Sequence, residues 1–159
     1  MYFATQTILK TTLLVILFAI PAKAAKRVSV VDYQPDVIRK ESTWNPRAIG
    51  PVGERGLMQI RRSTWNWATR IIYRNPLPFD KAFNPSINKK VGTWYLKWIQ
   101  KTLKSKKYMG CEPSIDHILA AYNGGIGRLK KNKYRVSRMP RSTRQYVADV
   151  KRFHRQRKK

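Results

Sequence analysis

The stretch ESTWNPRAIGPVGERGLMQI, numbered 41–60, joins a helical pattern to a series of turns. Residues 35–44 carry apolar side chains at helical spacing, and the Asn45-Pro46 pair then predicts the end of a helix. Positions 46–56 hold two prolines and three glycines, a composition typical of turns. The sequence therefore places Glu41, one of only 8 acidic residues, near the end of a helix and beside a compact loop.

The rest of the chain reads mainly as helices. Asn84-Pro85 is a favourable helix start, because asparagine can cap a helix and proline suits its first position. The large apolar residues that follow at helical spacing are interpreted as core: Ile87, Val91, Trp94, Tyr95, Trp98 and Leu103. The predicted helices span about 35–44, 63–73, 85–102, 114–122 and 141–153, with a loop at 74–85 and a short strand candidate at 28–31. The predicted fold class is α, a single mainly helical domain.

The composition is strongly basic, with 34 Lys and Arg residues and a formal net charge of +26. Such a surplus indicates a polyanionic environment: nucleic acid, anionic lipid or an anionic wall polymer. Two clusters contribute most visibly, one at 128–135 and a basic C-terminal tail at 151–159. Each is also what a solvated face or a frayed end looks like.

The N-terminus indicates export. A weakly basic start, an apolar stretch at 13–22 and the small-x-small triplet Ala22-Lys23-Ala24 predict a signal peptide over residues 1–24. The apolar stretch is shorter than the ~20 residues of a spanning helix, which argues against the alternative of an uncleaved anchor. Cleavage removes two bases and no acid, so the mature domain, 25–159, carries +24. We therefore expect a periplasmic, wall-associated or extracellular protein, and no nucleic acid partner.

Glu41 has the features of a proton donor. At a helix C-terminus the dipole disfavours the carboxylate, and Trp44, three residues later, is expected to shield it from water. Both effects raise the pKa of a carboxyl group, and a carboxylic acid of raised pKa is what protonation of a glycosidic oxygen requires. Many helix-ending glutamates are surface residues, so this pattern alone leaves both interpretations open.

Four segments in order carry a more specific signal. They are ESTWNPRAIGPVGERGLMQI (41–60), FNPSINKKVGTWYLKWI (83–99), AAYNGGIGRL (120–129) and PRSTRQYVADV (140–150). Together they resemble the soluble lytic transglycosylase family over nearly the whole chain after the signal peptide. The resemblance implies a lysozyme-like fold with a long substrate cleft and a peptidoglycan lytic transglycosylase that needs no cofactor.

The resemblance also implies site residues. Glu41 matches the single catalytic acid/base, Met58 and Gln59 of GLMQ match substrate-binding positions, and Tyr122 and Asn123 of AYNGG match the opposite wall. Tyr146 of RQYV matches a tyrosine that points toward the catalytic carboxyl group. The alternatives are structural: Gln59 would only tie down a turn, Tyr122 would belong to the core, and Asn123 would end a helix before glycine.

The implied reaction cleaves the bond between N-acetylmuramic acid and N-acetylglucosamine and leaves an anhydro ring. Two other functions stay open. One is a muramidase on the same fold, which hydrolyses the bond, and the other is a non-enzymatic cationic protein that binds wall, membrane or nucleic acid. The physiological setting stays open too: a secretion or conjugation apparatus, wall turnover or a phage.

Four positions depart from the family pattern or complicate it. Gly50 stands where a serine is frequent, and Arg61-Arg62 stand where a Met-Pro step is common. Glu54, in a Gly-Glu-Arg-Gly turn, is expected to be an exposed charge beside Arg55. The alternative is that Glu54 is a second cleft carboxylate, which would favour hydrolysis.

The single cysteine, Cys111, cannot form an intramolecular disulfide and is expected to be a half-buried apolar residue. Histidine and cysteine do not cluster at metal-ligand spacing, so no metal is expected. We also expect a monomer whose polymeric partner is peptidoglycan.

Overall fold

The computed structural model describes residues 29–159, so the predicted signal peptide lies outside the described residues. Six α-helices follow one another: α1 (Gln34–Ser42), α2 (Arg62–Tyr73), α3 (Pro85–Lys104), α4 (Ile115–Gly124), α5 (Ile126–Lys131) and α6 (Arg141–Arg157). Three short 3₁₀ helices lie at Val30–Tyr33, Phe79–Phe83 and Val136–Arg138. No strand occurs between residues 29 and 159, which confirms the mainly helical fold class. Nor does any helix in this range have the length and apolar character needed to cross a membrane.

Most predicted helices are present, with a few differences. The start of α3 is as expected, since the Asn84 side chain accepts a hydrogen bond from the Ile87 amide at 3.1 Å. The strand candidate at 28–31 was wrong, because its described part enters a 3₁₀ helix at Val30. Helix α5 was missed, and α6 runs to Arg157, beyond the predicted end at 153. Cys111 is exposed, contrary to the expectation of half-burial.

Helix α3 forms the centre of the domain. It packs against α2 and α4, while α6 packs against α1 and α4. The predicted stripe on α3 does face the core: Val91 and Leu103 are buried, and Ile87, Trp94, Tyr95 and Trp98 are packed against the core. Leu96 and Ile99, which the prediction left out, are buried as well. Burial of these side chains provides the main stabilisation that holds the six helices together.

The loop between α1 and α2 is fastened to α3 by one buried side chain. Asn88, wholly buried, accepts from the Met58 amide at 2.8 Å and donates to the Arg55 and Ala82 carbonyls at 3.0 and 2.8 Å. Gly56 permits this approach: it has φ +77°, and a Cβ there would lie 2.1 Å from the Ala82 carbonyl oxygen. The loop is therefore a rigid part of the fold, with β-bridges joining Arg55 to Ile49 and Ile60.

Candidate active site

A cleft of about 560 Å³ opens where the end of α1, the loop after it, α3 and the α4–α5 junction meet. Its lining mixes acids, bases, amides and aromatic rings, as follows: Glu41, Pro51, Glu54, Gln59, Ile60, Arg61, Ser63, Thr64, Tyr95, Tyr122, Asn123, Gly124, Gly125 and Arg128. Residues between positions 41 and 128, far apart along the chain, thus converge on one cavity. Such a mixed polar and aromatic lining suits a hydroxyl-rich ligand.

Glu41 lies in the last turn of α1 and faces this cleft. Helix α1 ends at once after it, because Thr43 and Trp44 adopt left-handed conformations with φ 49° and 66°. The Ser42 hydroxyl lies 3.2 Å from the Ile38 carbonyl and 2.9 Å from the Leu57 carbonyl. This contact ties the end of α1 to the loop and so holds the Glu41 side chain in place.

The Glu41 carboxyl group has a hydroxyl partner in place of a cation. The phenol of Tyr146, on α6, donates to Glu41 Oε1 at 2.7 Å. Burial raises the pKa of Glu41 to about 7; the Tyr146 hydrogen bond opposes the rise, and the charge of Glu54 adds to it. Its neighbour Lys40 has a smaller lowering effect, and the Lys40 ammonium is bound to Asp149 at 2.8 Å. Near neutrality a large fraction of Glu41 therefore carries a proton.

Tyr122 links the cleft wall to the loop. Its hydroxyl donates to the Met58 carbonyl at 2.7 Å, and its ring lies 5.6 Å from that of Tyr95, which also lines the cleft. Burial, together with the nearby Glu41, raises the pKa of Tyr122 well above its usual value. Tyr122 therefore stays a neutral hydrogen-bond donor at the cleft wall.

Gln59 and Asn123 both line the cleft, and both have hydrogen-bond partners within the fold. Gln59 donates to the Ala48 and Gly56 carbonyls at 3.1 and 2.9 Å, which leaves its Oε1 as the atom available to a ligand. Asn123 accepts a hydrogen bond from Thr143 at 2.9 Å through Oδ1, so its amide nitrogen remains as a donor. Each of the two residues therefore lines the cleft and also stabilises the local fold, whereas the sequence had presented these as alternatives.

Three expectations about this region need correction. Met58 is wholly buried, with its sulfur against Gly92, so its side chain does not line the cleft; only its carbonyl takes part, through Tyr122. Trp44 is 52% exposed and borders a separate cavity beside Arg157, so it does not shield Glu41. Glu54 is not an exposed charge beside Arg55: its side chain is 14% exposed, lines the cleft and pairs with Arg61 at 3.2 Å.

The sequence reasoning also missed three features that shape the site. Asn88 anchors the loop, Tyr95 lines the cleft, and Asp149 binds Lys40. Spacing along a helix did not reveal the role of any of these residues. The one available signal was Asn88, a polar residue between the apolar positions Ile87 and Val91 at the start of α3. Within residues 29–159, no group of three or more His, Cys, Asp and Glu side chains could hold a metal ion.

Residues 19–144 match the protein family described as the Transglycosylase SLT domain. The chain is 31% identical over 102 residues to the soluble lytic murein transglycosylase of Salmonella typhimurium, covering 62% of this chain and 14% of that protein. It is 36% identical over 90 residues to the membrane-bound lytic murein transglycosylase F of Histophilus somni, covering 57% of this chain and 16% of that protein. The chain therefore spans about one seventh of the length of these relatives.

The fold is similar to that of a solved structure. The 70 kDa soluble lytic transglycosylase SLT70 of Escherichia coli superposes with a TM-score of 0.61 at 28% identity. The superposition covers 75% of this chain and 20% of that one. The match is thus to part of a longer protein.

Proposed function

The chain belongs to the Transglycosylase SLT domain family, and on that premise we propose that it is a peptidoglycan lytic transglycosylase with Glu41 as its single general acid/base. One observation carries the proposal: the Glu41 carboxyl group lies in the cleft, accepts a hydrogen bond from the Tyr146 phenol at 2.7 Å, and has its pKa raised to about 7. An acid of that pKa is protonated when substrate binds and yet readily gives its proton away.

In the first step, Glu41 donates its proton to the oxygen that joins N-acetylmuramic acid to N-acetylglucosamine. The bond from that oxygen to the sugar C1 breaks, and the positive charge that develops on the ring is stabilised by the substrate's own N-acetyl group. Tyr146 orients the carboxyl group and stabilises the carboxylate that forms, because its phenol donates to Oε1. The Gln59 and Asn123 amides lie at the walls, where they hold sugar hydroxyl or acetamido groups.

In the second step, the ionised Glu41 accepts the proton of the sugar's own primary hydroxyl. The oxygen of that hydroxyl bonds to C1 and closes the anhydro ring, and Glu41 returns to its acid form. No water is consumed, and no cofactor takes part. The cleft contributes proximity, since both proton transfers use one carboxyl group fixed by Ser42, Tyr146 and the surrounding loop.

The basic surface suits an anionic wall. Part of the predicted tail cluster is already neutralised, because Lys151, Arg152 and Arg157 pair with Asp116, Asp149 and Asp36 respectively. Arg155, Lys158 and Lys159 remain, with the bases of 128–135, to attract stem-peptide carboxylates. We also propose that the chain is exported after cleavage near Ala24 and that it acts as a monomer. Its setting would be a secretion, conjugation or phage apparatus.

A muramidase is the second candidate, and the position of Glu54 favours it. A second carboxylate in a glycosidase cleft can stabilise the sugar cation or direct a water molecule. The product separates the two candidates, because the anhydro sugar is lighter than the hydrolysis product by one water.

The test is product analysis by mass spectrometry of purified peptidoglycan, with Glu41→Gln beside the wild type. We expect anhydro ends from the wild type and a rate at least ~1,000-fold lower from the folded variant, since it has no proton to donate. A wild type that yields only reducing ends would establish the muramidase. A Glu41→Gln protein that cleaves at the wild-type rate would refute the role of Glu41.

A further inference from the structure

Glu54 reaches the cleft through a space that a side chain at position 50 would fill. A Cβ on Gly50 would lie 2.6 Å from Glu54 Oε2 and 2.6 Å from Gln59 Oε1. The Gly50 amide also donates to the Glu54 carbonyl at 2.8 Å, so the two backbones are held close. The absence of a side chain at position 50 is therefore what admits the Glu54 carboxylate to the wall.

The Glu54 carboxylate is held in one orientation. Oε1 receives the Arg61 guanidinium at 3.2 Å, and Oε2 receives the Val52 amide at 3.1 Å. The side chain is only 14% exposed, whereas that of Arg61 is 65% exposed. Water screens the exposed cation more effectively than the sheltered anion, so the pair leaves net negative potential on the cleft side.

The groups around Glu41 leave this potential largely uncompensated. On its own helix, Lys40 turns to Asp149 at 2.8 Å. Helices α4 and α6 present the neutral phenols of Tyr122 and Tyr146. The cleft also contains Tyr95 from α3, and its cations, Arg61 and Arg128, are both exposed residues.

We propose that Glu54 is a positioning residue that acts through Glu41: its charge, admitted by Gly50 and fastened by Arg61, holds the catalytic proton on Glu41 and sets the pH range of cleavage. The inference rests on the proposed function of Glu41. The direction follows from Coulomb repulsion, because a nearby negative charge opposes formation of a second one. Consistent with this geometry, Glu54 is among the causes that raise the pKa of Glu41.

The test is the rate of peptidoglycan cleavage as a function of pH for the wild type and Glu54→Gln. Glutamine preserves the shape of the side chain and removes its charge, so Glu41 should lose its proton at lower pH. We expect the alkaline limb of the profile to move down by about half a pH unit and the rate above that limb to fall roughly threefold. Glu112→Gln is the matched control: it removes a carboxylate paired with Lys104 outside the cleft lining and should leave the limb in place.

Gly50→Ala tests the same idea without replacing an acidic residue. Its methyl group meets the flexible ends of Glu54 and Gln59, so the fold should survive while the carboxylate is displaced. We expect a shift in the same direction as that of Glu54→Gln, and no further shift when the two changes are combined.

An unshifted limb in both Glu54→Gln and Gly50→Ala would overturn the inference while leaving the enzyme assignment intact. A Glu54→Gln variant that keeps the wild-type limb but changes the ratio of anhydro to hydrolysed ends would also overturn it, since Glu54 would then act on the sugar. Failure of the proposed function has a different signature, namely cleavage that survives Glu41→Gln.

Discussion

The two ends of α1 each hold a sheltered carboxyl group, and their surroundings differ. Asp36, in the first turn, is 2% exposed and lies 2.8 Å from His154 Nδ1 and 2.9 Å from Arg157 Nη2. Glu41, in the last turn, has a phenol as its nearest partner. The helix dipole reinforces the difference, because it favours a negative charge at the first turn and disfavours one at the last.

The two carboxyl groups both contact α6, but through different kinds of side chain. Asp36 joins α1 to α6 as an ion pair, and His154 is further fixed by stacking on the Tyr33 ring at 3.9 Å. Glu41 contacts the same helix α6 through Tyr146, but no cation neutralises it there. Asp36, with two basic partners, links α1 to α6, whereas Glu41, which has none there, holds its proton at higher pH because its pKa is raised to about 7.

The largest loss of stability is expected on removal of the Asp36 charge. Asp36→Asn leaves the Arg157 and His154 side chains without their anionic partner, so we expect a loss of about 2–3 kcal/mol in the free energy of unfolding. Urea denaturation measures it. Asp116→Asn, which breaks the half-exposed pair with Lys151, is the control and should cost less than about 1 kcal/mol. Equal losses in the two variants would show that the buried Asp36 pair stabilises the fold no more than the half-exposed pair does.

Glu41→Gln should change the free energy of unfolding in the opposite direction. The pKa of Glu41 is about 7 in the fold and 4.5 as an ordinary carboxyl group. Between these values the folded state binds more protons than the unfolded state, so the stability of the wild type falls as pH rises through this window. Glutamine escapes the loss, and the variant should be more stable above pH 7 by up to about 3 kcal/mol.

Thermal unfolding of both proteins across this pH window provides the measurement. The two melting temperatures should converge below pH 4.5, where the carboxyl group is protonated in both states. A constant difference at every pH would show that Glu41 titrates normally in the fold.

Among Asp36→Asn, Glu41→Gln and Tyr146→Phe, the last should have the smallest effect. Loss of the phenol removes a hydrogen bond that lowers the pKa of Glu41, so the alkaline limb of the pH–rate profile should move up. The rate should fall roughly tenfold, because the carboxyl group loses the partner that orients it. Tyr73→Phe, outside the cleft lining, is the control. An alkaline limb that moves down, as expected for Glu54→Gln, would contradict the assigned role of the phenol.

Local patterns predicted much of this fold. Asn84-Pro85 marked the start of α3, the apolar spacing marked its buried face, and Asn45-Pro46 marked the end of α1 to within a few residues. The prediction failed where several basic residues masked an amphipathic pattern, as at α5 and at the end of α6. Helix α5 keeps an apolar core contact through Leu129 that the surrounding charges obscured, and the last turn of α6 is held by the contacts of His154 and Arg157 with Asp36.

The cleft was less accessible to such reasoning. The resemblance identified Gln59, Tyr122, Asn123 and Tyr146, all of which lie at the cleft or in contact with Glu41. The physical argument predicted a raised pKa for Glu41, which the structure shows, but it named an incorrect shield, since Trp44 borders another cavity and Tyr146 of α6 contacts the carboxyl group. Glu54 was misplaced because a glycine-rich turn usually exposes its charges, and this turn is fastened to α3 by Asn88.

The sequence by itself determined most of the helices, the turns after α1 and a glutamate at the end of α1, because these depend on hydrogen bonds and side-chain spacing among near neighbours. Only the tertiary structure decided how strongly that glutamate holds its proton. Tyr146 is 105 residues from Glu41 along the chain, and Arg157 is 121 residues from Asp36. The proton affinity of a carboxyl group depends on burial and on charges acting through space, and folding alone brings those groups together.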